Sequence, residues 1–196
     1  MSAAGFRTRR RFVAAGMILT AAVIAGCATP QRIGGEVQGP SFDRTGRFAL
    51  LVEHRGGDRD SVQGGFAWRD TRARQWLDLA NPLGSTLARI EVTPNLAVLT
   101  RSDGTTDQAP HADALVEQVL GSPIPVEGLR DWLHGRLAPG AAEQVEKDAE
   151  GRLARFVQNG WQAELSRYDT LGPRLLRLRR AETARDISLR LVIDGQ

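Results

Sequence analysis

The chain has 196 residues, with 26 Lys+Arg against 23 Asp+Glu for a net charge of +3, and a single cysteine. That length suits one domain with a proper core, and one cysteine rules out an internal disulfide framework. The positive excess sits at the N-terminus, so it is no argument for nucleic-acid binding.

Four arginines (Arg7, Arg9, Arg10, Arg11) precede an apolar stretch from Phe12 to about Ala25, and Ile24-Ala25-Gly26-Cys27 closes it with small residues before the thiol. This is the layout of a bacterial lipoprotein export signal. Cys27 would take a diacylglyceryl group and become the first residue of the mature chain. The apolar stretch is too short, and too rich in Ala and Gly, for a good permanent span. Thr8-Arg9-Arg10-Arg11-Phe12 also fits a twin-arginine signal, an ordinary basic n-region being the alternative; both routes give the same anchored product. Loss of residues 1–26 removes four arginines and no acid, leaving 22 cations against 23 acids, or −1. Acylation leaves no free thiol, which excludes redox catalysis.

Residues 28–41 read as a polar Gly- and Pro-containing tether, with the domain from 42 to 196. Period-2 patterning then begins. Phe48, Leu50 and Val52 share a face in Arg47–Val52, and His54–Asp60 is a turn. Ser61–Arg69 returns with Val62, Phe66 and Trp68 on one side, a hairpin signal. Arg74–Ala80 carries Leu77 and Leu79; Ser85–Val92 carries Ala88, Ile90 and Val92; Leu96–Thr100 is a short strand before an Arg101–Gly104 turn. Such alternation implies antiparallel sheet with one wetter face.

The period changes at Ala112. Leu115, Val116, Val119 and Leu120 form one helical stripe that Gly121 can end; Val126, Leu129, Trp132 and Leu133 form a second. Two short amphipathic helices cannot fill a bundle, so their stripes must lie on the sheet. Residues 138–151 are polar and fit either a loop or a poor helix. Strands resume at Arg152–Gln158, Asn159-Gly160 is a tight-turn signal, and Trp161, Ala163 and Leu165 alternate inward. Leu175–Arg180 and Ile187–Ile193 complete the series, the last with Ile187, Leu189, Leu191 and Ile193 on one face. Eight to eleven antiparallel strands interrupted by helices predict a mainly β fold: a strongly curved, unclosed barrel with the helices across its mouth. The pattern leaves open whether its interior is filled or hollow.

Chemistry-bearing clusters are few. His54, His111 and His134 fall in different elements without metal-ligand spacing, and His134, near a helix end, reads as a partner of the last carbonyls. No nucleophile–base series or phosphate-binding Gly loop stands out, so no enzyme activity, metal or cofactor is implied. Seven arginines between Arg167 and Arg190 form either a solvated outer face or a positive rim toward a partner or acidic lipid.

Leu83 in Asn81-Pro82-Leu83-Gly84-Ser85-Thr86 is out of place, an apolar residue at the centre of a turn. It either projects from the fold or turns back onto the barrel mouth. This segment, then Gly121-Ser122-Pro123-Ile124-Pro125, Leu129 to Gly135, and Gln158-Asn159-Gly160-Trp161 followed by Tyr168-Asp169, together resemble the LolB family of outer-membrane lipoproteins. The resemblance runs with gaps from about Thr45 to Ile193. It implies an unclosed barrel like that of the periplasmic carrier LolA. It also implies a monomeric receptor that takes lipoproteins from that carrier and inserts them into the outer membrane. By position, Cys27 would be the lipid anchor, and Leu83 the membrane-inserting tip presented by Pro82 and Gly84. Phe48, Leu50, Phe66, Trp68, Leu77, Leu79, Ile90, Trp161, Leu165, Ile187, Leu189 and Leu191 would line a cavity for cargo acyl chains. Leu115, Val116, Val119, Leu129, Trp132 and Leu133 would form the lid. Ala28, which is not Asp, lacks the inner-membrane retention signal of the pathway. The family's N-terminal helix is shortened or lost here. A lipid-anchored scaffold with a filled core is the competing reading, and the barrel interior discriminates between the two.

Overall fold

The computed structural model describes residues 41–71 and 73–195. The export signal, Cys27, Ala28, nearly all of the tether and the question of an N-terminal helix lie outside the described residues. In chain order, β1 (Phe42–His54), β2 (Arg59–Asp70), β3 (Gln75–Ala80), β4 (Thr86–Thr93), β5 (Leu96–Arg101) and β6 (Thr106–Ala109) come first. Helices α1 (Ala112–Leu120) and α2 (Val126–Trp132) follow, then β7 (Ala142–Lys147), β8 (Leu153–Gln158), β9 (Trp161–Ser166), β10 (Leu175–Ala181) and β11 (Arg185–Ile193).

All eleven strands belong to one antiparallel sheet, ordered β6-β5-β4-β3-β2-β1-β11-β10-β9-β8-β7. Each strand pairs with its sequence neighbour except at β6→β7, where the helices intervene, and β1 closes the two halves by pairing with β11 from Gly46↔Ile193 to His54↔Arg185. β6 and β7 are left as the two edges, so the barrel is unclosed. Alternation sets the faces: Leu50, Val52, Phe66, Trp68, Ile90, Leu189 and Leu191 are buried on one side, with Arg47, Ala49, Arg177 and Arg190 exposed on the other. Asn159 and Gly160 both take positive φ in the tight β8–β9 turn, as a two-residue hairpin loop requires. Gly46 is fixed by packing, because a Cβ there would collide with the Val192 carbonyl oxygen and the Phe66 ring.

Residues 138–151, left between loop and helix by their composition, contain β7. It is an edge strand whose register with β8 shifts twice and whose Gln144 adopts φ 50°. Its residues are mostly exposed, so no apolar alternation marks it. The bulging and the two glutamates keep this edge from recruiting another strand. Short β6 escaped notice for a similar reason, with only Ala109 buried.

A charged staple fastens the start of the sheet. Arg44 is buried and donates through Nη1 and Nη2 to the Asp169 carboxylate at 2.7 and 2.8 Å, while the Leu171 and Gly172 amides bond the same carboxylate. The Arg44 hydrogen bonds hold the Asp169 pKa at about 2, below the usual 3.8. A depressed carboxylate pKa adds stability above the unfolded value and loses it as pH falls through the folded one. The native domain should therefore lose about 2 kcal/mol of stability between pH 4 and 2 through this group. In urea melts across that range, Asp169→Asn should start less stable and show a flatter pH dependence; an unchanged slope would remove the staple from the acid response.

Candidate functional site: an apolar cavity beside a projecting leucine

The helices lie on the concave face because that is where their apolar stripes find partners. His111 caps α1, its Nδ1 accepting from the Ala114 amide, and Gly121 ends the helix in the left-handed conformation. Asp113 in the first turn accepts the Glu127 amide of α2 at 2.9 Å, joining the two helices, and its burial raises the pKa of its carboxyl.

Three polar fasteners hold this crossover to the sheet. Arg130 of α2 donates through Nε and Nη2 to the buried Asp70 carboxylate at 2.7 Å each, and also to the Thr71 carbonyl. The Asp70 hydrogen bond raises the Arg130 pKa further. Arg185 at the head of β11 bonds the Gly121 carbonyl and, at 3.2 Å, the Ser122 hydroxyl, while Glu182 braces its Nε. Gln158, buried at the end of β8, accepts from Trp132 Nε1 and from the Ala138 amide at 3.0 Å and returns a hydrogen bond to the Ala138 carbonyl. None of the three was singled out from sequence, since each depends on residues tens of positions apart. Gln158 carried a faint signal as a polar residue ending an otherwise apolar strand.

Beneath the crossover is a cavity of about 110 Å³ with a wholly apolar lining. The structure brings Phe48, Leu50, Phe66, Trp68, Leu77, Leu79, Ile90, Leu189 and Leu191 of the expected set around it, with Val116, Val119, Leu129 and Leu133 of the helices. Leu99, Leu120, Ile124 and Val126, absent from the expected set, complete the wall. Trp161, Leu165 and Ile187 are buried but lie outside the lining, a correction to the sequence reading. Trp132 is buried whole and meets Phe156 edge-on at 5.4 Å, so core packing occupies the β8–β9 side where Trp161 and Leu165 lie, while Ile187 is buried on β11 opposite Val52. Leu115 and Trp132 are likewise core residues of the crossover rather than cavity wall.

Leu83 is 92% exposed at the β3–β4 turn, so of the two alternatives it projects from the fold rather than turning back onto the barrel mouth. Asn81 builds the turn, its Oδ1 accepting the Leu83 and Ser85 amides at 3.0 Å while its carbonyl takes the Gly84 amide. Gly84 at φ 90° supplies the positive dihedral that an L-residue resists. Pro82 and Gly84 were expected to set the presentation; Asn81 is the residue that sequence reasoning missed. Val62, Leu87 and Leu120 are also exposed, at the hairpin end of the sheet that bears Leu83.

The histidines have structural partners. His54 contacts Asp60 at 2.9 Å, and His134, expected to bond helix carbonyls through its ring, instead stacks on Phe42 with centroids 3.6 Å apart. Burial lowers the His134 pKa, keeping that ring neutral at neutral pH. Of the late arginines, Arg177 and Arg190 stand directly opposite one another on the outer face, while Arg180 and Arg185 share Glu182.

An unclosed antiparallel barrel with two short helices over an apolar cavity is the class of fold these elements define. The family model described as outer membrane lipoprotein LolB matches residues 40–195. The chain is 52% identical over 186 residues to the outer-membrane lipoprotein LolB of Bordetella petrii, covering 94% of this chain and 92% of that protein. It is 54% identical over 179 residues to the protein of the same description from Bordetella pertussis (90% and 89%), and 38% identical over 173 residues to that of Cupriavidus necator (87% of each). The chain belongs to the LolB family.

Removing the Gln158 amide strands the Trp132 N–H and both Ala138 backbone groups in the core. Gln158→Leu should cost about 3 kcal/mol. A urea midpoint lowered at unchanged slope would show it; an unchanged midpoint would mean that the crossover is held without this bond.

Proposed function

We propose that the protein is an outer-membrane receptor that accepts lipoproteins from a periplasmic carrier, shields their acyl chains in the cavity and inserts them into the membrane. Membership of the LolB family and the wholly apolar cavity support this reading, and the observation that carries it is Leu83, exposed on a turn fixed by Asn81. The export signal at 1–26 is removed, Cys27 carries the lipid, a tether follows to residue 41, and the domain from 42 to 196 faces the periplasm as a monomer. The family match starting at residue 40 supports that boundary. No catalytic step is required, nor a cofactor.

The energetics favour partial shielding. A triacylated cargo exposes about 45 methylenes, and at ~0.8 kcal/mol each their burial amounts to about 36 kcal/mol. Non-covalent affinities saturate near ~20 kcal/mol. A cavity of about 110 Å³ is smaller than the ~150 Å³ void that accepts one benzene, so the helices must lift from the sheet as chains enter. Arg130 and Arg185 are the contacts that must yield. The receptor need only hold chains better than the carrier and worse than the bilayer, so transfer runs downhill without ATP. A filled scaffold would show no such cavity.

Leu83→Glu removes an apolar tip worth about 2 kcal/mol at the head-group boundary and adds a charge, without touching the core. The variant should fold, accept cargo from the carrier and insert it poorly. Acceptance and insertion must be measured separately on the same preparation; equal loss of both would make Leu83 part of the receptor mouth. Cys27→Ser should prevent lipidation and leave an uncleaved precursor or an unanchored form, while a domain exported with an ordinary cleavable signal still takes cargo. Failure of that soluble domain to do so would make the anchor part of reception.

A further inference from the structure

Four arginines crowd the outer face of three neighbouring strands: Arg47 on β1, Arg190 on β11, and Arg177 and Arg179 on β10. All four are exposed. Ala49, Arg190 and Arg177 form one cross-strand row, and Arg47 and Arg179 are displaced two residues from it, to opposite sides. Like charges directly opposite one another on a sheet are destabilising, as Arg177 and Arg190 are here. Arg177 reaches only Glu164, at 3.8 Å and shared with Arg155. Arg47, Arg179 and Arg190 have no ion pair or side-chain hydrogen bond among the described residues. Their cross-strand neighbours Ala49, Gly65 and Ser188 are too short to supply one. Asp43 and Glu53 on the same face are taken by Arg69 and Arg59, and Asp186 and Asp194 stand at the two ends of β11. Residues 27–196 carry 22 cations against 23 acids, so the cluster is a local excess and not a general basicity.

Its spread sets the kind of anion that fits. Arg47 and Arg179 lie about 14 Å apart along the strands and about 10 Å apart across them. No single phosphate reaches both, whereas a planar array of phosphates does, and guanidinium groups pair well with phosphate oxygens. The chain itself brings such an array within reach. β1 opens the domain at Phe42, so Arg47 is five residues from the tether that leads back to Cys27. The outer row that holds Arg47 continues through Gly65 to Ala80, the last residue before the Leu83 turn. The cluster thus adjoins both the tether and the strand that leads to the tip.

We propose that this outer face is a docking surface for an anionic phospholipid leaflet, with Arg47, Arg177, Arg179 and Arg190 each over a head-group phosphate. The proposal rests on anchoring through Cys27 and adds an electrostatic contact to those of the acyl anchor and Leu83. An anchored domain is already held near the leaflet, so a weak multivalent contact suffices to fix which side faces it. Lipid phosphates also relieve the Arg177–Arg190 repulsion.

The test uses the full-length lipidated protein in nanodiscs of phosphatidylcholine alone or mixed with phosphatidylglycerol, each doped with a head-group nitroxide lipid. Gln162→Cys, opposite Arg179, carries a fluorophore, acylated Cys27 being unreactive; Glu117→Cys on the exposed side of α1 is the control. In anionic discs the nitroxide should quench the first label strongly and the second weakly, with no such difference in neutral discs. Arg177→Gln, Arg179→Gln and Arg190→Gln should each shift the ratio of docked to undocked domain about fivefold, and the three together should abolish docking, while Arg179→Lys keeps it. High salt should release the face in the protein without arginine changes. Equal quenching in neutral and anionic discs, or quenching that survives the triple change, would overturn the proposal and leave the cluster to an acidic protein partner. Release by inorganic phosphate beyond that by sodium chloride of equal ionic strength would overturn it in favour of a discrete phosphate site. Protein that does not co-elute with the discs would refute the Cys27 anchor itself, and this contact with it.

Discussion

An eleven-strand sheet that does not close presents more apolar concave surface than one short crossover can cover, and the rest of the structure follows from that deficit. The two helices contain nine and seven residues and must cross from β6 at one edge to β7 at the other. Trp132 reaches Phe156 of β8, while a void is left between the helices and the inner face of β1–β5 and β11. A void in a core normally costs stability because its lining loses contact partners. Here the void is wholly apolar and lies under the crossover, so packing is weakest there.

Polar contacts do what packing does not. Asp70–Arg130, Arg185 to the end of α1, and Gln158 to Trp132 and Ala138 each tie the crossover to a different strand. They differ in burial and hence in strength. Gln158 is enclosed and its loss strands three groups, whereas the Arg130 and Arg185 contacts reach solvent and are weaker. The crossover is thus pinned firmly at its exit and loosely above the cavity.

Leu83 illustrates the same economy on the outside. A lone exposed leucine is ordinary on a protein surface, but one held rigid by Asn81 and Gly84 at a hairpin tip is not. Its side chain is held in solvent with no apolar partner in the fold. Under the proposed function, chains leaving the cavity would emerge on the side of the sheet that bears this tip.

By itself the sequence determined the faces of the strands that alternate, since period-2 alternation fixes which residues share a side whatever the rest of the fold does. It also determined the β8–β9 turn at Asn159-Gly160, where both residues need positive φ. The NPLGST and W-L-x-G segments identified the family, and the existence of two small helices followed from their spacing. Only the tertiary structure decided which inward residues meet a void and which meet a helix. Trp161 and Leu165 point inward as Leu189 and Leu191 do, yet Trp132 packs against Phe156 of β8 on their side of the sheet. Edge strand β7 was illegible because it is exposed on both faces and needs no alternation, and β6 because four residues with only Ala109 buried are too few to show a period. The roles of Asn81, Gln158 and Arg185 were hidden too, because a hydrogen-bond partner is fixed by where the backbone returns in space, and a local pattern carries no record of that.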